Sequence, residues 1–306
     1  MPITIMTTDR YASAQLVSGA VKIQGFDVNI ETPQPSVATV FNAFLQNLSY
    51  EAVDLPLTNY IIARDLGKPL TALPAFPTRF QPLMGPMVNR KSGIKTVDDL
   101  IGKRVGVSGF AFNPATYLRS MLVHLYDLPI EKIIWVEGEP NSMSNIPYAR
   151  SRRFTIEKAP RNIMEMVNDG EVDAVFMSDG GIEPTDTLDR LFADPWVEIR
   201  KFYEATGVFP VNAAITVRND VLEANPGFDR ALVVAYQQGW DRYAAEAGES
   251  KHMELAVSEM KALGVLPLKE GFTANRKNIA WIAHACYEQG LVQRLWEPEE
   301  LFPQID

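Results

Sequence analysis

Two arginines stand directly after predicted strands, where a side chain of this type could hold a carboxylate. Arg10 follows the strand Ile3 to Met6, and Arg79 follows the strand Leu70 to Ala75. The planar guanidinium group can bond both oxygens of a carboxylate at once. We therefore expect Arg10 and Arg79 to bind an anionic ligand. A salt bridge at the surface or between two lobes is the alternative for each of them.

Two aspartates occupy similar positions and could move a proton. Asp179 follows the strand that starts at Ala174, and Asp9 immediately precedes Arg10. A carboxylate beside an acidic ligand is repelled unless it is protonated, so these residues are candidates for a general acid with a raised pKa. The alternative for Asp179 is a hinge turn, and the alternative for Asp9 is an ion pair that fixes Arg10.

The stretch Asp98 to Tyr126 predicts an anion site at the start of a helix. An apolar strand ends at Val107, and a loop that begins with Ser108 leads into a helix from Asn113. Free backbone N–H groups at a helix N-terminus favour a carboxylate or a phosphate. Ser108, Asn113 and Thr116 are therefore expected to bind the ligand, unless Asn113 is only an N-cap in an ordinary turn.

Composition excludes several classes of protein. The chain has 306 residues, 46% hydrophobic and 22% charged, and a net charge of −9 with no basic block, which argues against a nucleic-acid partner. No apolar run approaches the ~20 residues that cross a bilayer. The N-terminus lacks a signal-peptide pattern, so we expect a cytoplasmic protein, or a periplasmic one if a signal peptide has been removed.

Few residues suit metal or cofactor chemistry. No cluster has the spacing of a zinc site, and no glycine-rich nucleotide fingerprint occurs. His124, His252 and His284 fall in helical runs and are expected to be structural or solvated, and Cys286 is expected in the core. We therefore expect no cofactor, with a loosely held divalent metal left possible.

Strand patterns alternate with helical patterns, which indicates an α/β protein with mainly parallel sheets. The predicted strands are Ile3 to Met6, Val28 to Ile30, Ala52 to Leu55, Leu70 to Ala75, Val105 to Val107, Ile133 to Val136 and Ala174 to Phe176. The predicted helices are Ala12 to Ser18, Val37 to Leu48, Leu57 to Asp65, Asn113 to Tyr126, Arg161 to Asp169 and Thr187 to Phe192. From Asp220 onwards the pattern is helical almost to the end.

Several phrases carry a family resemblance that runs from about Asp9 to Phe302. They are TDR, GFDVN, AVDLPLTNY, PAFPTRF, DLIGKRVGV, TGVFP, VRNDVLEANP and YEQGL. Together they resemble the 4,5-dihydroxyphthalate decarboxylase family, which shares the type II periplasmic-binding-protein-like fold. DLIGKRVGV occurs across proteins of that fold, whereas PAFPTRF and TGVFP are narrower.

The resemblance implies two lobes, each a mainly parallel sheet flanked by helices, with the ligand closed between them and a helical C-terminal region. Lobe 1 would comprise 1–83 and 212–306, and lobe 2 would comprise 84–211. Thr58 and Tyr60 resemble the ligand loop of the first lobe in binding proteins, although Thr58 could equally be an N-cap. Phe110 and Phe209 would form apolar walls, and Asn212 would bind the substrate.

One position departs from the family pattern. After TGVFP the family continues with a histidine at the place of Ala213. If that histidine transfers a proton in relatives, this chain uses another group, acts on another substrate or has lost activity. Two hypotheses follow from the resemblance: a decarboxylase of a hydroxylated aromatic acid, and a solute-binding protein for a small anionic organic acid. Relatives of the enzyme type make a homo-oligomer possible.

Overall fold

Two β-sheets flanked by helices form the framework of the protein. The computed structural model describes residues 2–138, 143, 145–176, 183–246, 258–266 and 268–306. Within these ranges the strands are β1 Ile3–Met6, β2 Val28–Glu31, β3 Ala52–Pro56, β4 Leu70–Ala72, β5 Pro86–Asn89, β6 Arg104–Val107, β7 Ile134–Glu137, β8 Thr155–Lys158, β9 Ala174–Phe176, β10 Leu188–Arg190 and β11 Ala213–Arg218.

Helices connect most of these strands. The α-helices of the described ranges that are used below are α1 Tyr11–Val17, α2 Val37–Asn47, α3 Leu57–Asp65, α4 Asn113–Tyr126, α5 Ile163–Asp169, α6 Pro195–Thr206, α7 Asn219–Ala224, α8 Phe228–Glu246, α9 Phe272–Glu288 and α10 Pro298–Leu301. Short 3-10 turns lie at Pro82–Met84, Asp98–Leu100 and Ile130–Lys132. No helix in the described part of the chain is long and apolar enough to cross a membrane.

The first sheet has the strand order β2-β1-β3-β11-β4. Strands β2, β1 and β3 run parallel, and β11 is inserted antiparallel between β3 and β4. The second sheet has the order β10-β5-β9-β6-β7-β8, in which β9, β6, β7 and β8 are parallel. Parallel strands place their carboxyl ends along one edge, where ligands of open α/β sheets bind.

The chain passes between the sheets twice. It leaves the first sheet after β4, enters the second at β5, and returns after β10 to form β11. The boundaries predicted for two lobes, after residues 83 and 211, fall within these two passages. That these two positions are the boundaries of independent lobes stays a prediction.

One apolar core extends across both sheets. It joins Val53 of β3 to Val105 of β6 through the buried residues of α3, α4 and α9. A second cluster covers the other face of the first sheet under α1 and α8, and a third lies between the second sheet and α5. Helices α3 and α4 thus have apolar neighbours on several sides.

The helix predicted for Thr187 to Phe192 is wrong. Leu188–Arg190 is the edge strand β10, which pairs antiparallel with β5. The apolar residues Leu188, Leu191 and Phe192 recur at helical spacing, but the sheet edge left open by β5 decides the conformation. The sequence patterns also missed β5, β8, β11 and α6, while the predicted limits of α3 and α4 are confirmed.

Gly239 allows α8 to pack closely on α1. A Cβ atom at this position would lie 2.6 Å from the carbonyl oxygen of Ala12, which is backbone and cannot turn away. We therefore predict that Gly239→Ala destabilises the protein by about 1–3 kcal/mol, although alanine ordinarily stabilises a helix relative to glycine. Urea unfolding measures the change. The exposed neighbour Gln238 provides the control: Gln238→Ala should be neutral, and a stabilised Gly239→Ala variant would contradict the close packing.

Candidate functional site

Helices α3 and α4 meet at their N-termini. The backbone N–H of Thr58 donates to Asn113 Oδ1 at 3.1 Å, and Thr58 Oγ1 donates to the carbonyl of Ala111 at 3.0 Å. All three residues are buried. Since α3 follows a strand of the first sheet and α4 follows a strand of the second, these bonds close the gap between the two sheets.

The two chain passages run side by side next to these helices. The N–H of Asn212 donates to the carbonyl of Thr78, and the N–H of Leu57 donates to the carbonyl of Asn212. Thr78 and Ala213 also form a β-bridge, and Tyr117 Oη donates to the carbonyl of Val211 at 2.9 Å. The passages therefore contact the start of α3 and the body of α4.

Four amide side chains on these contacting segments have polar atoms without partners. We call Asn59, Gln81, Asn113 and Asn212 the amide cluster; each is at most 4% exposed. Within the described residues, no hydrogen bond reaches Nδ2 of Asn59, Nδ2 of Asn113, either polar atom of Gln81, or either polar atom of Asn212. A buried polar group left without a partner costs about 1–3 kcal/mol. The amide cluster is therefore a site that a polar ligand would stabilise.

Three predicted residues, Thr58, Asn113 and Asn212, are brought together at the amide cluster. Sequence patterns missed Asn59 and Gln81, because neither residue type nor spacing distinguishes a buried amide without a partner from an exposed one. Ala213, where the resemblance implies a histidine in relatives, is the first residue of β11 and adjoins Asn212. Its methyl group offers no titratable atom to this region.

Three further predicted residues belong to the second sheet and its helices. Ser108 is half-buried after β6, and Thr116 Oγ1 bonds the carbonyl of Phe112 one turn back in α4. Phe110 is fully buried against Trp135, with the Arg119 guanidinium carbon 4.2 Å from its ring centroid. Phe110 therefore packs inside the core beside the second sheet, and the buried Arg119 guanidinium packs on its ring.

Tyr60 and Phe209 lie apart from the amide cluster's helix ends. Tyr60 donates a short hydrogen bond to the carbonyl of Leu301 and packs edge-on against Phe302. Phe209 is buried in the cluster under α8, and its N–H donates to Asn278. Both side chains contact the C-terminal region rather than the junction of α3 and α4.

Arg79 is engaged in a buried ion pair. Its Nη2 lies 2.9 Å from Glu270 Oε1, and its other bonds go to Asn275 Oδ1 at 3.0 Å and the carbonyl of Lys269 at 2.8 Å. The guanidinium also lies over the rings of Phe76 and Trp240. The sequence analysis allowed a salt bridge at the surface or between two lobes; the observed pair is buried, and both residues belong to the segments predicted as lobe 1. Its partner, Glu270, had no distinguishing pattern in the sequence.

The predicted acids occupy different settings. Asp9 and Arg10 are exposed on the loop between β1 and α1. Asp179 lies outside the described residues, as does His252.

His124 and His284 are exposed on α4 and α9, and Cys286 is buried. Among the described residues, no group of three or more histidine, cysteine, aspartate or glutamate side chains is arranged to hold a metal ion.

Asp54 is a buried carboxyl that the sequence analysis did not select. It lies on β3, is 2% exposed, and accepts hydrogen bonds on Oδ2 from Thr8 Oγ1 at 3.0 Å and Thr7 Oγ1 at 3.4 Å. Burial raises the pKa of the Asp54 carboxyl to about 6, against a lowering by the hydrogen bonds from Thr8 and Thr7. The signal in the sequence is an aspartate within the apolar strand AVDLP.

An open cavity of about 900 Å³ lies beside the C-terminal half of α4, at the opposite end of that helix from the amide cluster. Its walls include His124, Thr206 and Trp281. None of the predicted site residues that the structure describes lines it. Size alone does not make it the functional site, because the partnerless polar groups lie elsewhere.

Comparison with known proteins finds relatives that share one name. A 4,5-dihydroxyphthalate decarboxylase of Comamonas testosteroni is 26% identical over 308 residues, which cover 94% of this chain and 92% of that protein. A second protein of this name, from Pseudomonas putida, is 29% identical over 166 residues, covering 52% of this chain and 64% of that protein. The resemblance predicted from the sequence is confirmed.

The fold is also confirmed. The sequence family described as NMT1/THI5 like matches residues 22–144. The periplasmic aliphatic sulphonate binding protein SsuA from Escherichia coli superposes with a TM-score of 0.57 at 13% identity, covering 98% of this chain and 96% of that one. The chain thus has the α/β fold of periplasmic binding proteins, as predicted, and this likeness concerns the fold alone.

The Arg79 pair predicts a large effect on stability. Arg79→Ala leaves the Glu270 carboxylate buried without its cation, so the free energy of unfolding should fall by about 3–5 kcal/mol. The double variant Arg79→Met with Glu270→Gln removes both charges and should lose much less. Urea unfolding tests both, with Arg276→Ala, which breaks an exposed pair with Glu299, as the control. A loss below about 1 kcal/mol in Arg79→Ala would contradict a buried pair.

The raised pKa of Asp54 predicts a specific pH dependence of stability. The folded carboxyl holds its proton more tightly than the unfolded one, with a pKa of about 6 against 3.8, so wild-type stability falls as pH rises through this range. Asp54→Asn has no carboxyl to titrate at this position, so its stability does not fall for this reason. Its free energy of unfolding relative to wild type should therefore rise by about 2 kcal/mol between about pH 4 and about pH 7.

Asp99 supplies a control with a different pH window. Hydrogen bonds from Lys95 and Thr96 lower the pKa of its exposed carboxyl, so the stability that it contributes is present above the ordinary pKa of 3.8 and is lost as pH falls below it. The stability of Asp99→Asn relative to wild type should therefore change little between about pH 4 and about pH 7. Urea unfolding at both pH values measures the four differences. A pH-independent difference for Asp54→Asn would contradict the raised pKa.

Proposed function

We propose that this chain is a decarboxylase of a hydroxylated aromatic carboxylic acid resembling 4,5-dihydroxyphthalate. The observation that carries the proposal is similarity to the Comamonas testosteroni decarboxylase along nearly the full length of both chains. Shared fold alone would not suffice, because one fold hosts many functions. The polar groups between the sheets add a place where such an acid fits.

Loss of CO₂ from an aromatic acid makes three demands on a site. The ring carbon must accept a proton. The leaving carboxylate must lie where neutral CO₂ is favoured over the charged group, and another polar substituent must hold the ring in position. Exclusion of water strengthens the interactions that hold the substrate. A cleft that closes between two sheets would exclude water in this way.

The amide cluster supplies donors for an acidic ring. Nδ2 of Asn59, Asn113 and Asn212 and Nε2 of Gln81 could each donate to a carboxylate or a ring hydroxyl. The N-terminus of α3 adds the N–H of Thr58, and its dipole favours an anion. Arg10, on the loop after β1, remains the proposed clamp for a carboxylate.

We propose that the reaction needs no organic cofactor. Asp9 and Asp179 stay proposed proton donors, and Ala213 means that a histidine at that position does not take this role. A divalent cation held by carboxylates is tested by adding Mg²⁺ or Mn²⁺ to the assay. Increased turnover on addition would place metal chemistry in the mechanism.

A solute-binding protein is the second candidate. The structural likeness to the sulphonate binding protein SsuA favours it, because that protein shares the fold over 96% of its length. The substitution of the family's histidine by Ala213 also favours binding without turnover. The two candidates share a ligand class, a small organic anion, and differ only in whether the ligand is changed.

One experiment separates the candidates. The purified protein is incubated with hydroxylated phthalates and benzoates, with and without Mg²⁺ or Mn²⁺, while CO₂ release and thermal stability are followed. Release of CO₂ with a rise in melting temperature supports the decarboxylase. A rise in melting temperature without CO₂ makes the chain a binding protein. Neither effect with any acid would contradict both functions.

A charge introduced at the amide cluster should weaken binding. Asn113→Asp keeps the oxygen that accepts from Thr58, but its carboxylate repels an anionic ring. We predict an increase in the dissociation constant of about tenfold or more, measured by calorimetry. Because Asn113 is buried, the new carboxylate also lowers stability, and urea unfolding checks that the variant is folded under the conditions of the titration.

Asn162 provides the matched control. It also stands at the start of a helix, α5, and accepts from backbone N–H groups, but it is exposed. Asn162→Asp should therefore leave affinity unchanged. Equal affinities for all three proteins would remove Asn113 from the ligand site.

A further inference from the structure

Asp54 lies at the edge of the first sheet where a ligand would approach. The parallel pairing of β1 and β3 ends with Met6 opposite Val53, so Asp54 is the next residue towards the carboxyl ends of both strands. Four residues later Thr58 contacts Asn113 of the amide cluster. Residue 54 is therefore placed near the same edge as the cluster, next to the loop that carries Arg10, and the contacts of its carboxyl group lie on the side of the sheet that α1 and α8 cover.

Hydrogen bonds make the two carboxyl oxygens different. Oδ2 lies 3.0 Å from Thr8 Oγ1, 3.5 Å from the N–H of Thr8 and 3.4 Å from Thr7 Oγ1. No hydrogen bond from the described residues reaches Oδ1. A proton on the carboxyl therefore belongs on Oδ1, because Oδ2 already accepts three donors.

None of the described hydrogen-bond partners of Asp54 is a cation, so its negative charge is not compensated by them. The loop after β1 contributes Thr7 and Thr8, and Ile215 of β11 is its register partner. Helix α1 contributes Ser13, 2.9 Å from the Thr7 hydroxyl, and α8 contributes Tyr236, whose Oη lies 3.4 Å from that hydroxyl.

Titration of Tyr236 does not compete with that of Asp54. Burial raises the pKa of Tyr236 well above its ordinary value, and the negative charges of Asp54 and Glu270 raise it further. Tyr236 therefore stays protonated and donates towards Thr7, whereas Asp54, with a pKa of about 6, exchanges its proton near neutral pH. That range suits a general acid.

We infer that the Asp54 carboxyl, in place of the sequence candidates Asp9 and Asp179, is the proton donor of the proposed decarboxylation, an inference that rests on the proposed function. The ring carbon that bears the leaving carboxylate takes the proton from Oδ1 and forms a C–H bond. The bond from that carbon to the carboxylate then breaks, its electron pair returns to the ring, and CO₂ leaves. Water reprotonates the Asp54 carboxylate, so that one proton is consumed for each CO₂ released.

Turnover of the near-isosteric variant is the first test. Asp54→Asn keeps an oxygen for the Thr8 hydroxyl but has no acidic proton, so kcat/KM should fall by about 100-fold or more. Asp173→Asn is the control: it changes a half-buried aspartate of the second sheet that accepts the N–H of Arg104, and its activity should stay near that of wild type. Activity of Asp54→Asn close to wild type overturns the inference.

The pH profile separates a proton donor from a structural residue. Wild-type kcat/KM should fall as pH rises through the pKa of Asp54, because the acid form is then lost. Thr8→Val removes a hydroxyl whose hydrogen bond lowers this pKa, so the fall should move to higher pH. An unmoved profile overturns the inference, and this variant retains Asp54 if Asp54→Asn does not fold.

Proton uptake on binding gives a test without turnover. Phthalate, which lacks ring hydroxyls, is titrated calorimetrically near neutral pH in two buffers of different ionisation enthalpy. An anion beside Asp54 raises the pKa of its carboxyl, so wild type should take up part of a proton and Asp54→Asn should bind without uptake. Equal uptake in both proteins, or no binding of phthalate, overturns the inference.

The two proposals fail in different ways. Turnover by wild type with near-normal activity in Asp54→Asn overturns the role of Asp54 and keeps the decarboxylase. Uptake that depends on Asp54, in a wild-type protein that releases no CO₂, overturns the decarboxylase and supports Asp54 as the acid beside the ligand.

Discussion

The hydrogen bonds at Asn212 hold the two chain passages and the first helix of the site in one arrangement. Its N–H bonds Thr78 of the outgoing passage, and its carbonyl bonds the N–H of Leu57 at the start of α3. A shift of either passage would break one of these buried bonds. The junction of α3 and α4, the amide cluster and the carboxyl edge of β3 all depend on this crossing.

Buried acids in this molecule are compensated in three ways. Glu270 is paired with Arg79, and Glu137 accepts from the N–H of Phe110 and from Arg150. Asp54 has only hydroxyl and backbone donors from Thr7 and Thr8 within the described residues. A carboxylate with neutral donors alone remains costly to ionise. Burial also raises the pKa of Glu270, against the charge of Arg79, whereas Asp54 has no cation among its described hydrogen-bond partners.

The sequence predicted the parts of the fold whose patterns are local. Helices α3 and α4 and the strands β1 and β6 have apolar periodicity that no neighbour overrides. The stretch at Leu188–Arg190 was predicted as a helix because its apolar spacing suits one, yet it completes a sheet edge that only the folded chain provides. Pairing with a distant strand, as for β11 between β3 and β4, leaves no mark in local spacing.

Two residues of the candidate site were named from the sequence on different grounds. Asn113 was named because it starts a helix after a strand, where such positions converge at a sheet edge, and Thr58 was named from the family resemblance. The partner of Arg79 could not be found, since Glu270 is 191 residues away in the sequence. Asn59 and Gln81 depend on burial without a partner, a property of the packed chain and not of residue type.

The bond between the Thr58 N–H and Asn113 Oδ1 means that the protein contains its own competitor for the end of α3. An incoming oxygen must exchange with the amide oxygen instead of finding an unused donor, so the net gain is the difference between two hydrogen bonds. The same exchange assists departure, because the amide recaptures the donor as a product leaves. Such a site binds its ligand less tightly and releases it sooner.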